Sequence, residues 1–193
     1  MIKITRPSCP NPTALSTNYK HPQNKMVLQK ASYGKCMYCE SKITHIYFGD
    51  VEHIKPKSKY PELEFEWSNL GFVCSLCNHL KSDKFDEDTQ YINPYEEDPE
   101  NEIVFWGSLL RPKKGSERGE LTILDLGLNR PDLIEKRGIV INNIEKAINA
   151  CMRSKNQALR DNALKELLLE SNPDKDYSLA IKTFFKIQGI EIV

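Results

Sequence analysis

The amino-acid sequence predicts an α+β fold, in which a small metal-binding core of two strands and one helix precedes a C-terminal helical region. Two CxxC pairs, at residues 36–39 and 74–77, mark the core. Short runs of β-branched and aromatic residues lie between or beside these pairs, and apolar residues recur at helical spacing in the last third of the chain. The hydrophobic fraction of 39% in 193 residues is sufficient for a buried core.

The elements of the core follow one another along the chain. The segment "HPQNKMVLQKASYGK" predicts a short helix that ends at Gly34, a residue suited to the left-handed conformation that follows a helix. Strand-forming residues run from Ile43 to Ile54, and after a loop "LGFVCSL" predicts a second strand. Apolar residues at helical spacing predict a short helix that begins near Cys77.

The remainder of the chain predicts a hairpin and then helices. The segments "EIVFWGSLL" and "ELTILDLGL" are strand-like and flank the basic turn "RPKKGSERG". Pro131 opens an amphipathic helix, and "NQALRDNALKELLLE" and "YSLAIKTFFKIQ" predict two more. We therefore expect one domain over residues 1–105, with its core at 36–84, and a hairpin plus helical region over residues 106–193.

The overall charge excludes a strong long-range attraction to nucleic acid, since Lys plus Arg and Asp plus Glu both number 27. No apolar run approaches the roughly 20 residues that span a bilayer, and "MIKITRPSCPNP" lacks an apolar signal core. We expect a cytoplasmic protein without a membrane partner. Its six cysteines would then stay reduced, which favours metal binding over disulfides.

The four cysteines of the two CxxC pairs predict a structural zinc site. Four thiolates satisfy a tetrahedral Zn²⁺ and leave no coordination position for a substrate. A redox CxxC, two unrelated thiol pairs or disulfides remain as alternatives, although a redox motif normally uses one pair. The predicted zinc ligands are Cys36, Cys39, Cys74 and Cys77.

The order "CMYCE…VEHIKPKS…N…CSLCNHLK" over residues 36–84 resembles the HNH endonuclease family, whose core is a ββα-metal fold. The resemblance implies that His53 is the general base and that Asn69 orients the histidine and its loop. Asn78 takes the third motif position, so the sequence is similar to an H-N-N variant. Glu52 occupies the acidic position that binds the catalytic cation together with the third residue.

The chemistry of these side chains agrees with the implied roles. An imidazole has an unperturbed pKa near 6.5 and can accept a proton near neutrality. The oxygen atoms of Glu52 and Asn78 suit Mg²⁺, with Mn²⁺ as the alternative. Neighbouring strand residues face opposite sides, so we expect a bulge or a strand end between Glu52 and His53.

Lysines and a helix start provide the expected contacts with nucleic acid. Lys55 and Lys57 follow the histidine, and Lys81 lies one turn beyond Asn78 on the predicted helix. We also expect Asn78 at the start of that helix, where free backbone N–H groups favour an anion. These lysines are the predicted phosphate contacts.

The chain also resembles the PtuB-type HNH subunits of Septu and retron-associated antiphage systems, through "MIKITRP", "GKCMYCE" and "ELTILDLGLNRPDLIEKR". That resemblance implies an ABC-type ATPase partner (PtuA-like) that controls the nuclease, and we expect it to dock on the C-terminal region. We expect a Mg²⁺-dependent endonuclease, with DNA as the favoured substrate and RNA, including tRNA, as the alternative. A non-catalytic zinc module and a free-standing restriction-type nuclease are the competing hypotheses.

Overall fold

The computed structural model describes residues 1–43 and 48–190. Its helices and strands are, in chain order, α1 (Pro12–Leu15), α2 (Pro22–Ala31), β1 (Asp50–His53), β2 (Leu70–Val73), α3 (Ser75–Lys81), β3 (Ile103–Trp106), β4 (Leu109–Pro112), α4 (Glu117–Asp125), α5 (Pro131–Met152), α6 (Gln157–Leu168) and α7 (Ser178–Ile187). The predicted α+β class is confirmed.

The core is an antiparallel hairpin followed by one helix. In the β1–β2 register Glu52 lies opposite Gly71 and His53 lies opposite Leu70. Helix α3 follows β2 almost at once and packs against β1. The predicted order of strand, loop, strand and helix is confirmed, although residues 44–47 of the first predicted strand lie outside the described residues.

A close approach between β2 and the first cysteine turn explains the glycine in "LGFV". A Cβ atom at Gly71 would lie 2.2 Å from the sulfur of Met37. The backbone N–H of Met37 donates to the carbonyl of Phe72 at 3.0 Å. Any larger residue at position 71 would therefore displace the buried Met37 side chain, which packs between the first cysteine turn and β2.

The second hairpin corrects one prediction. Its first strand lies within "EIVFWGSLL", and its second begins there and runs to Pro112 in the predicted basic turn, with Trp106 opposite Leu109 and Gly107 at φ +60° in the connection. The predicted strand "ELTILDLGL" is instead mostly helix α4. The apolar residues of this segment alternate as in a strand, but the segment forms a helix with one buried side, on which Ile123 is buried whereas Leu124 is 74% exposed.

The capping of α4 gives the physical reason for the helix. The Ser116 hydroxyl accepts a hydrogen bond from the Gly119 N–H at 2.8 Å, which satisfies one of the free donors of the first turn. Gly119 packs so closely on the carbonyl of Glu102 that an added Cβ would lie 2.5 Å from that oxygen. The cap and the contact both hold the segment as a helix against the β3–β4 hairpin.

The predicted C-terminal helices are confirmed as α5, α6 and α7. Pro131 opens α5, and α7 packs against both α5 and β3. Ile144, Ile181 and Phe185 form a small apolar cluster between α5 and α7. Since β3 crosses the expected boundary at residue 105, the division into residues 1–105 and 106–193 stays a prediction. Across residues 1–43 and 48–190, no helix combines the length and apolar character needed to cross a bilayer.

Candidate active site

The two CxxC pairs converge on one buried cluster. The sulfur atoms of the four cysteines all lie within 4.8 Å of one another, and those of Cys39 and Cys74 are 3.9 Å apart. A tetrahedral zinc with bonds of about 2.3 Å separates its sulfurs by about 3.8 Å. The geometry therefore fits a structural zinc and argues against two unrelated thiol pairs.

The negative charge that four thiolates would place in this cluster also favours a bound cation. Burial raises the pKa of the Cys36 thiol, whereas hydrogen bonds from the neighbouring cysteines lower that of Cys39. The guanidinium of Arg130 lies 3.6 Å from the sulfur of Cys77. Burial disfavours the charged form of Arg130, but the Cys77 and Cys39 sulfurs outweigh this and raise its pKa. Arg130 thus partly neutralises a site whose four thiolates require a divalent ion.

The first cysteine turn and the residues after it are hydrogen-bonded to the start of α7 and to the segment just before it. The carboxylate of Glu40 accepts from the Ser178 hydroxyl at 2.8 Å and pairs with Lys35 at 3.4 Å. Burial alone would raise the pKa of Glu40, but the ammonium groups of Met1 and Lys35 lower it to about 2. The N–H of Lys42 also donates to Asp176 at 2.6 Å. The hydrogen bonds to Ser178 and Asp176 therefore join the first cysteine turn to the C-terminal region, whereas the ion pairs of Glu40 are made within the N-terminal part of the chain.

Strand β1 ends at His53, and this end resolves the geometric difficulty posed by neighbouring strand residues. Glu52 and His53 line the same cavity of about 230 Å³. The N–H of Ile54, just beyond the strand, donates to the carbonyl of Asn69 at 2.8 Å. Of the two expected solutions, the structure uses a strand end.

His53 is held by a carbonyl and by an aromatic ring. Its Nε2 lies 2.9 Å from the carbonyl oxygen of Glu64, and the Tyr19 ring packs edge-on at a centroid distance of 4.5 Å. A carbonyl only accepts hydrogen bonds, so Nε2 carries the proton and the neutral ring has its lone pair on Nδ1. Burial lowers the pKa of His53, although the bond to Glu64 opposes this. The ring is thus kept neutral near pH 7.

Asn69 fastens the loop that follows His53. Its Oδ1 accepts from the N–H of Lys55 at 2.8 Å, and its Nδ2 donates to the carbonyls of Lys55 and Leu63 at 3.0 and 3.2 Å. The side chain is buried, so these bonds are shielded from water. Because Leu63 immediately precedes Glu64, the same amide also holds the carbonyl that orients His53.

Lys81 lies beneath Glu52 rather than on the surface. Its ammonium is 2.5 Å from the Glu52 carboxylate and donates to the carbonyl of His53 at 2.8 Å, with no exposed side-chain surface. Burial raises the pKa of Glu52, and Lys81 opposes this. The predicted contact between Lys81 and phosphate does not fit this placement, because the ammonium is enclosed by the strand end.

Asn78 lies on the same face of α3 as Lys81, since the two are three residues apart on one helix. Lys81 contacts Glu52 and His53, so this face is directed at the end of β1. The expected free N–H at Asn78 is wrong, because that N–H donates to the carbonyl of Cys74 at 3.0 Å and the helix begins at Ser75. Asn78 is not among the residues that line the cavity of Glu52 and His53, so its role as a ligand beside Glu52 stays a prediction that rests on the oxygen chemistry of the two side chains.

The other two predicted nucleic-acid contacts lie at the rim of the site. Lys57 lines the cavity, pairs with Glu64 at 2.6 Å and is 4.9 Å from the Tyr19 ring centroid. The ammonium of Lys55 lies over the rings of Tyr60 and Phe85 at 5.4 and 5.6 Å. Both lysines are more accessible than Lys81, and their contact with phosphate stays a prediction.

Sequence reasoning missed several residues of the site. Tyr19 reaches His53 from the segment between α1 and α2, and no local pattern marks it. Glu64 acts through its carbonyl, which any residue would supply. Ser82 and Asp83 follow Lys81 directly and line the cavity. The sequence offered one indication of this, namely that both residues lie shortly after Asn78, the third motif residue.

The comparisons with known proteins agree with this geometry. The sequence model of the HNH endonuclease family matches residues 36–84. The chain is 31% identical to the Septu protein PtuB of Bacillus thuringiensis over 176 residues, which cover 83% of this chain and 67% of that relative. It is also 31% identical to the Septu protein PtuB of Bacillus mycoides (strain KBAB4) over 158 residues, covering 66% and 54% of the two chains. The chain thus spans about two thirds of one relative and about half of the other.

Proposed function

The chain belongs to the PtuB family of HNH proteins, and we propose that it is a divalent-metal-dependent endonuclease, the effector subunit of an ATPase-controlled antiphage complex. The observation that carries the proposal is the fixed tautomer of His53. With Nε2 committed to the Glu64 carbonyl at 2.9 Å, the lone pair on Nδ1 serves as the base.

The proposed reaction is hydrolysis of a phosphodiester bond. Nδ1 of His53 takes a proton from the attacking water, and Asn69 keeps the ring and its loop in position through the carbonyls that it binds. Tyr19 excludes water from one edge of the ring. Mg²⁺ or Mn²⁺, when bound by Glu52 and Asn78, would neutralise charge on the phosphate and leaving oxygen.

The zinc cluster has a structural role in this proposal. Four thiolates fill the coordination sphere, so the zinc holds the first cysteine turn, β2 and α3 together and takes no part in the hydrolysis. The buried Lys81 and the Asn78 side chain on α3 depend on that arrangement to reach β1. A reducing cytoplasm would keep the cysteines available for the metal.

DNA is the favoured substrate in this proposal, and RNA or tRNA is the alternative. The proposed catalytic groups act on the phosphate and make no demand on the sugar, so the site chemistry serves both polymers. Lys55 and Lys57 would contact the flanking phosphates. The neutral overall charge gives little electrostatic capture, which favours delivery of the substrate by a partner.

The partner in the proposal is an ABC-type ATPase of the PtuA type. Its docking surface would be the C-terminal helical region, where α6 has no buried residue among those described. Large apolar side chains are exposed along this region, namely Ile139, Met152, Leu159, Leu169 and Ile187. Exposed apolar surface of this kind marks protein-interaction sites.

The test uses the full chain co-purified with its cognate ATPase and incubated with DNA and RNA panels in Mg²⁺, with and without nucleotide. His53→Ala should lower cleavage by at least about 100-fold, the contribution of a general base, while the zinc content and the circular-dichroism spectrum stay unchanged. His79→Ala, an exposed histidine on α3, is the matched control and should cleave normally.

The same experiment separates the competing functions. Full activity of His53→Ala would refute the proposed base. Binding of nucleic acid without cleavage in any condition would indicate a non-catalytic zinc module. Cleavage of unmodified DNA by the isolated chain would indicate a free-standing restriction-type nuclease.

A further inference from the structure

We propose that Asp83 is a further oxygen ligand of the catalytic divalent cation, bound directly or through one water molecule. The inference rests on the proposed function and extends the metal site beyond Glu52 and Asn78. Asp83 lies within the segment that matches the HNH family model, but at none of the motif positions assigned above.

The charge balance around Glu52 motivates the assignment. Its carboxylate is 2.5 Å from the buried ammonium of Lys81, so the pair is neutral as a unit. The cationic Lys57 at the cavity wall is itself neutralised by Glu64 at 2.6 Å. The Asn78 amide carries no charge. A divalent cation bound by Glu52 and Asn78 alone would therefore have little anionic compensation before a phosphate arrives.

Asp83 supplies the missing charge at the right place. It lines the same cavity of about 230 Å³ as Glu52 and His53. It is exposed, and within the described part of the chain no hydrogen bond or ion pair engages its carboxylate. A carboxylate without a protein partner, at the wall of a cavity whose other carboxylate is already paired, is available to a cation.

The backbone at the end of α3 turns sharply before Asp83. Ser82 has φ +49° and ψ −128°, a conformation that residues with a side chain rarely adopt. Such a conformation is strained and persists where the surroundings hold it. The turn redirects the chain so that Ser82 and Asp83 both line the cavity instead of continuing along the helix axis.

The test measures Mn²⁺ binding by electron paramagnetic resonance, which detects the unbound ion, on EDTA-washed protein that keeps its zinc. All proteins carry His53→Ala so that an added DNA duplex stays intact. Asp83→Asn should weaken Mn²⁺ binding about 10- to 100-fold, the loss seen when a partner of a metal site is removed. Glu52→Gln should also weaken it. Asp88→Asn removes the same charge from an exposed residue nearby and should have no effect.

The outcomes separate this inference from the proposed function. If Asp83→Asn binds Mn²⁺ as tightly as Asp88→Asn while Glu52→Gln binds weakly, Asp83 is not a ligand and the metal-dependent nuclease stands. If the protein with an intact Glu52 and Asp83 binds no Mn²⁺ with or without DNA, both proposals fail. Unchanged zinc content and circular dichroism of Asp83→Asn confirm that a loss of binding is local.

Discussion

Replacing Lys81 with methionine should destabilise the protein by about 3–4 kcal/mol at pH 7 and by much less at pH 5. Methionine keeps most of the length and volume of the side chain but removes the ammonium that lies 2.5 Å from Glu52. Loss of one partner of a buried ion pair typically costs about 3–5 kcal/mol, because the remaining charge is left uncompensated.

The protonation of Glu52 limits this loss. A buried carboxylate without a partner can take up a proton, and from its ordinary pKa of 4.5 this costs about 3.4 kcal/mol at pH 7, at 1.36 kcal/mol per pH unit. At pH 5 the protonation cost falls to about 0.7 kcal/mol.

The sign of the pH dependence follows from linkage. Burial raises the pKa of Glu52 above its value of 4.5 in the unfolded chain even beside Lys81, and removal of the ammonium should raise it further. Stability relative to the wild type is therefore retained below pH 4.5 and lost as the pH rises toward the folded-state pKa. The deficit of the variant should grow with pH, by up to about 1.4 kcal/mol per pH unit where Glu52 is ionised in the wild type and protonated in the variant.

Thermal unfolding at saturating zinc, measured for variant and wild type at each pH, tests these values. A loss of 3–4 kcal/mol corresponds to a fall in Tm of roughly 6–16 °C for a chain of this size. Lys84→Met, at a half-exposed lysine 3.7 Å from Asp125, is the control and should change stability by less than about 1 kcal/mol. The double variant Glu52→Gln with Lys81→Met should recover most of the loss. A deficit that is the same at pH 5 and pH 7 would refute the buried ion pair as its source.

Three further predictions concern activity and the metals. Cleavage should fall as the pH drops through the pKa of His53, which burial lowers below 6.5, so a pH–rate profile with its acid midpoint above 7 would contradict the neutral base. EDTA should stop cleavage before zinc is released. Cys36→Ser should unfold the core, because zinc binding contributes about 10–16 kcal/mol in related small sites. Circular dichroism and zinc content measure this unfolding, and a native spectrum without zinc would contradict the prediction. Asn69→Ala removes three hydrogen bonds, so the free energy of unfolding measured with a chemical denaturant should fall by about 2–3 kcal/mol and cleavage should fall more than tenfold. A variant as stable as the wild type would show that other contacts hold the loop.

The parts of the fold that the sequence predicted are those with a short-range cause. Two cysteines separated by two residues can bind one cation from a single tight turn, so the CxxC spacing predicted each pair as two ligands of a metal site. Pro131 and the apolar spacing after it predicted α5 in the same way. The strand "ELTILDLGL" was wrong because a few alternating apolar residues satisfy both periods, and the deciding contact of Gly119 with Glu102 is not local.

The candidate site shows the same limit. Sequence spacing placed Lys81 on the correct helix face, but spacing does not give depth, and the ammonium lies buried against Glu52 instead of reaching phosphate. Tyr19 reaches His53 from a different part of the chain, through a tertiary contact that has no signature in the motif. The motif therefore predicts the chemistry of the site, whereas the surroundings of each group come from tertiary contacts that the motif does not contain.

The contacts of Glu40 bear directly on the predicted division at residue 105. A chain that ended there would lose the Ser178 hydroxyl and the Lys175 carbonyl, which lies 2.8 Å from the Lys35 ammonium. Lys35 and Glu40, beside the first cysteine turn, would then lose these two hydrogen bonds. Each bond involves a charged group shielded from water, so its loss should lower the stability by about 1.5–3 kcal/mol. The C-terminal segment therefore contributes to the stability of the metal cluster, and a partner bound to the helices would act on a region that is joined to that cluster by buried polar contacts.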